Sequence, residues 1–199
     1  MQIDPTEVAR LIKAGQALPP DWIPHIVELS LERGFITDLR PIAALTQLRW
    51  LVLTRSRISD ISPLSAMTRL QHLHLSYTAV RDLTPLTGLT ELTRLFLTGS
   101  LVEDITPLAG LTRLERLDLG GTQIADVAPL AALCDLYSLD ISATRVSQVS
   151  ALGALRQLRH LDLTETSVAD TSSLAGLTAC RIVTVPPIVT RRRNAGPYR

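Results

Sequence analysis

From Ile26 onward the apolar and polar positions recur every 22 residues, and seven successive copies run to Ala179 without insertion or deletion. The copy from Leu70 to Glu91 reads LQHLHLSYTAVRDLTPLTGLTE, and its neighbours read LRWLVLTRSRISDISPLSAMTR and LTRLFLTGSLVEDITPLAGLTR. A fixed period of this length predicts a solenoid, in which each unit stacks only on the units beside it. Within a copy, Leu73 and Leu75 are two apart, so both point to one face of a short strand while His72 and His74 take the other. Stacked copies then build a parallel sheet with strands about 4.8 Å apart. The Asp-Leu-Thr-Pro-Leu segment turns the chain. Ser62, Thr84, Thr106 and Ser172 are expected as N-caps of a short 3₁₀ or α turn. Pro63, Pro85, Pro107 and Pro129 take the first helical position, where a missing N–H costs nothing. Leu86 and Leu89 pack that turn back onto the core.

Two polar ladders accompany the leucines. Ser56, Thr78, Ser100, Thr122, Thr144 and Thr166 recur after the strand, and Asp38, Asp60, Asp82, Asp104, Asp126 and Asp170 recur four positions later. Each is expected to accept hydrogen bonds from loop N–H groups that a turn leaves unpaired. A side chain present once per turn serves the turn, so the evenly spaced aspartates are not read as catalytic. The shared pattern L-x-x-L-x-L-x-x-T-x-I-x-D-I-x-P-L-x-x-L resembles the bacterial leucine-rich repeat, and within it the internalin-like subclass that carries T-x-I-x-D-[IL]-x-P-L. The resemblance implies an α/β solenoid: a leucine-rich-repeat horseshoe with a parallel concave β-sheet and short 3₁₀ or helical turns on the convex side. It also implies protein binding. The pattern frays at the ends, where Gly34 and Arg40 break the first copy, Gln148 and Ala151 the sixth, and Ser173 the seventh.

With the apolar positions committed to stacking, function is sought in the columns that vary. One column on the open face runs Ser30, Val52, His74, Phe96, Asp118, Asp140, Asp162. A second runs Glu28, Trp50, His72, Arg94, Arg116, Ser138, His160. A third, just after the strand, runs Arg33, Arg55, Tyr77, Gly99, Gly121, Ala143, Glu165. Copies two to four therefore gather Trp50, Val52, His72, His74, Tyr77 and Phe96, and clustered exposed aromatics are typical binding anchors. Copies five to seven set Asp118, Asp140 and Asp162 at about 4.8 Å spacing, where like charges repel unless matched. Arg94, Arg116 and Arg159 are expected to neutralise them in part. The column reads either as a common wording of the repeat or as an acidic strip for a basic partner, with Gly99, Gly121 and Ala143 leaving a trough beside it. His160 completes the candidate set.

Composition narrows the picture further. The chain has 199 residues, 46% of them hydrophobic and only 4% aromatic, which suits a leucine-stacked core in a single quasi-one-dimensional domain. A net charge of +1 argues against general nucleic-acid affinity. Concentrated positive charge occurs only in the tail, at Arg191, Arg192, Arg193 and Arg199. Cys134 and Cys180 lie two turns apart, about 9.6 Å by stacking, beyond the roughly 6.8 Å Cα limit of a disulfide. Free thiols fit a reducing compartment. Residues 1–25 are read as an N-terminal cap, with a helix from Asp4 to about Ala14 that buries Val8, Leu11 and Ile12, and with Trp22 as a plug. Residues 26–179 are the seven repeats. Residues 180–199 are a partial repeat, in which Val183 and Val185 continue the strand, followed by a cap and basic tail. No apolar h-region or membrane-length segment is present, so a cytoplasmic location or export by a non-Sec route is expected.

An enzyme is not expected. His72 and His74 share a face without a third ligand, His160 lies about 19 Å from His72, and no nucleophile, base and orienting group fall together. No cofactor, metal, specific nucleic acid or membrane insertion is implied. The expectation is a non-catalytic module, monomeric or dimerised through an open end, that binds a protein partner on its concave face. A bacterial effector delivered into a host, and a detached sensor domain of a signalling protein, are the alternatives.

Overall fold

A computed structural model describes residues 3–32 and 36–184. Eight strands form one parallel sheet in strict sequence order: β1 (Glu28–Ser30), β2 (Trp50–Val52), β3 (His72–His74), β4 (Arg94–Phe96), β5 (Arg116–Asp118), β6 (Ser138–Asp140), β7 (His160–Asp162) and β8 (Arg181–Val183). Short 3₁₀ turns alternate with the strands, as the repeat pattern predicts. Every pair from β1 to β7 joins residues 22 apart, so Leu51, Leu73, Leu95, Leu117 and Leu139 stand directly beside one another. These leucines are all but inaccessible to solvent, as are Leu53, Leu75, Leu97 and Leu119 two positions on. Each buried leucine contributes about 1.5–3 kcal/mol. Because they lie in columns, one core cluster runs from Val8 to Leu177.

Helix α1 (Pro5–Lys13) precedes the sheet and packs against β1. The Asp4 carboxylate accepts the Thr6 amide at 2.8 Å, Pro5 opens the helix, and Gly15 leaves it in the left-handed region at φ 66°. Val8 and Ile12 are buried, with Ala9 and Trp22 packed partly against the core. Leu11, expected on that face, is only half-buried.

The polar ladders work differently from expectation in two respects. The hydroxyls donate. Thr78, Thr122, Thr144 and Thr166 give their protons to the carbonyls of Leu75, Leu119, Ile141 and Leu163 at 2.6–2.7 Å. Ser56 and Ser100 hydroxyls are buried without a partner. The residues expected as N-caps are instead the first residues of their turns, and their amides are capped by the aspartate two positions back. Asp60, Asp82, Asp104, Asp126 and Asp170 each accept such an amide at 2.8 Å. Those bonds hold the carboxyls of Asp60 and Asp170 below the ordinary carboxylate range; at Asp82 and Asp104 the threonine hydroxyl leads and the amide adds to it.

The last strand slips by one. β8 pairs His160 with Arg181 and Leu161 with Ile182, a spacing of 21 residues. Val183 continues the strand as expected, but Ile182 takes the inward column and Val183 falls in the outward column after Asp162, where an unbroken 22-residue register would have put it inward. Cys180 packs partly against the core, which raises its thiol, and both cysteines are free. Val185 and the arginine tail, with Arg33 and Gly34, lie outside the described residues.

Candidate functional site

The outward face of the sheet carries two columns in the predicted register. One runs Ser30, Val52, His74, Phe96, Asp118, Asp140, Asp162; the other runs Glu28, Trp50, His72, Arg94, Arg116, Ser138, His160. Stacking alone places side chains from distant repeats next to each other here, because alternate strand residues must point away from the leucine core.

At the β2–β4 end the rings form a continuous stack. Trp50 lies 4.7 Å from His72 and 5.8 Å from His74 between centroids, the latter pair within 15° of parallel. His74 stacks on Phe96 at 4.3 Å and 19°. Trp50 remains 37% exposed. Burial lowers the pKa of both histidines, and for His72 the nearby Arg94 charge acts in the same sense. Both shifts favour the neutral ring. Val52, expected among the anchors, is only 8% exposed, lying between Ser30 and His74 in its column. It supports the patch and offers a partner almost no surface.

Tyr77 sits at the rim. The column that contains it is the turn out of the strand, and its residues are left-handed: Arg55, Tyr77, Ala143 and Glu165 at φ 51–59°, Gly99 and Gly121 at 63° and 67°. That geometry lets Arg55, Tyr77, Gly99, Gly121 and Ala143 each donate an N–H to the next turn, as Tyr77 does to the Thr98 carbonyl at 2.7 Å. The trough expected beside Gly99 is filled by Tyr77: a Cβ on Gly99 would lie 2.8 Å from its ring. Arg55 stacks over the same ring at 5.0 Å, leaving Tyr77 53% exposed.

The aspartate column turns to its own backbone. Asp118, Asp140 and Asp162 accept the amides of Gly120, Ser142 and Thr164 at 2.8–3.0 Å. Burial raises the Asp118 carboxyl above its ordinary range, against the opposing Thr98 and Gly120 hydrogen bonds. The arginines expected to neutralise this column do otherwise. Arg159 donates to the carbonyls of Arg156 and Leu158. Arg116 lies 5.5 Å from the ring of Tyr137, which also meets His160 edge-on at 5.5 Å. Tyr137 was not among the predicted site residues. It belongs to a column one place earlier, and it reaches the face because small Ser138 stands between Arg116 and His160. Among the described residues no group of three or more His, Cys, Asp or Glu side chains is placed to hold a metal ion, and no helix is long and apolar enough to cross a membrane.

Residues 68–110 match the family model described as leucine rich repeats. The structure is similar to an internalin (inlF) of Listeria monocytogenes, with 30% identity and a TM-score of 0.78, over 90% of this chain and 50% of that one. An internalin C2 of the same organism is 27% identical with a TM-score of 0.72, over 91% of this chain and 92% of that one. A leucine-rich-repeat protein of Leptospira interrogans shares the fold at 17% identity and a TM-score of 0.75, over 85% and 52%. Among curated proteins none matches. With its repeat, register and turns, the chain is a leucine-rich-repeat solenoid, the fold of a protein–protein interaction module. Within that class it is a bacterial internalin-like protein. It spans half the length of the first internalin compared.

Proposed function

We propose that the chain is a non-catalytic recognition module that seats a protein partner on the outward, concave face of its sheet. The ring stack of Trp50, His72, His74 and Phe96 is the observation that supports this reading. Trp50 packs against the His72 and His74 rings of the neighbouring strand and is still exposed, the setting of a binding hot spot. Tyr77 lines one rim, and Arg116, Tyr137 and His160 extend the surface toward β7.

The test is capture by the immobilised chain, with retained proteins identified by mass spectrometry. Trp50→Ala with Phe96→Ala abolishes retention of a specific partner and leaves the far-ultraviolet circular dichroism unchanged. Undiminished retention by this double variant refutes the proposal.

A further inference from the structure

Beyond the ring stack the Trp50 column becomes positive. Arg94 and Arg116 are register partners on β4 and β5, and like charges so placed are unfavourable unless matched. Among the described residues neither forms an ion pair, and Arg116 meets only the Tyr137 ring. Arg10 pairs with Glu7, Arg40 with Asp38 and Arg81 with Glu103, none of them a residue of these columns. The nearby aspartates hold their own backbone amides. A second observation is independent of charge. Arg94 Nε is buried without an acceptor, beside an Nδ1 of His72, its register partner on β3, that is buried without a hydrogen-bond partner of either kind. A buried donor left open is costly, and it marks where an acceptor is missing.

A carboxylate satisfies both conditions at once. It accepts two guanidinium N–H bonds in one plane, and it carries the charge that two adjacent arginines lack. We infer that Arg94 and Arg116 receive an Asp or Glu side chain from an acidic segment of the protein partner, with apolar side chains of that segment against Trp50 and Phe96 on one side and Tyr137 on the other. This rests on the recognition reading above and names the partner's chemistry. The surroundings select against a polyanion. Asp118, Asp140 and Asp162 run alongside, and the charges of Glu28 and Glu115 reach His72, so a continuous phosphate backbone meets repulsion on either flank. A single carboxylate seated between the two arginines carries less charge into that surround and meets less of it.

The test is selection of a random peptide library on the full chain, followed by fluorescence anisotropy of the enriched sequences. Enriched peptides carry Asp or Glu next to aromatic or aliphatic residues. Their affinity falls at least about tenfold with Arg94→Ala/Arg116→Ala, falls less with Arg94→Lys/Arg116→Lys, and is unchanged with Arg10→Ala. Arg116→Ala alone, at an exposed position, keeps the test valid should the double variant misfold. Basic or uncharged consensus sequences overturn the inference, as does failure to enrich acidic peptides, or affinity indifferent to the arginines. So does tighter binding of a mixed-sequence single-stranded oligonucleotide at the same arginine pair. Peptides lost with Trp50→Ala/Phe96→Ala but indifferent to the arginines refute this inference alone; indifference to both pairs removes the recognition face as well.

Discussion

The hydroxyl ladder separates into two chemically distinct sets, and a pair of substitutions tests the division. Thr122 is 4% exposed, and its Oγ1 donates at 2.6 Å to the Leu119 carbonyl, which also accepts the Thr122 amide at 3.2 Å. Thr122→Val keeps the branched shape and deletes one donor. The carbonyl retains its amide partner, so the loss is that of a single hydrogen bond, about 1–1.5 kcal/mol. For a chain of this length that lowers Tm by about 2–6 °C. Ser56 is as deeply buried, at 5%, but its hydroxyl bonds to nothing. Removing an unpartnered buried polar group is neutral or favourable, so Ser56→Ala should leave stability unchanged or raise it by up to about 1 kcal/mol. Guanidinium denaturation followed by circular dichroism measures both, with unchanged slopes confirming that the same surface is exposed. If Ser56→Ala costs as much as Thr122→Val, the two hydroxyls are equivalent and the division is wrong.

Two further outcomes follow from the ring stack and the turns. Burial lowers the pKa of His72 and His74 below the ordinary 6.5, so below that pH the unfolded chain binds more protons than the folded one, and stability falls as pH drops. Thermal melts between pH 7 and 5 should show a loss that is smaller in His74→Phe, and an identical pH slope in the variant refutes the assignment. Glu165 holds φ 56° with an exposed side chain, so Glu165→Gly relieves left-handed strain and should stabilise by about 0.5–1 kcal/mol. A lowered denaturation midpoint would contradict this.

The fold was legible because one periodicity determines which residues are neighbours. Once Leu73 and Leu95 are known to stack, Trp50 must stand beside His72, and His74 beside Phe96, whatever their own propensities. Four features escaped because they depend on side-chain direction rather than on register. A hydroxyl accepts or donates according to which backbone group lies nearer, and here the carbonyl three residues back wins. Val52 and Tyr137 were misjudged because exposure depends on lateral neighbours: Val52 is short beside the His74 ring, whereas Ser138 leaves room for Tyr137. The aspartate column was read for its charge, when its short side chains reach the amide two residues on. The slip at β8 falls at the last turn, where Cys180 replaces the consensus leucine.

The 22-residue spacing of the strand pairs has an evolutionary consequence. Each outward side chain occupies one square of a grid whose rows and columns are held by leucines on the opposite side. A substitution on one square leaves the lattice intact, and duplication or loss of a whole row preserves the alignment of the rest. A surface organised in this way can be rewritten one contact at a time without refolding the protein, so a new partner can be acquired by gradual change while the old scaffold stays in use.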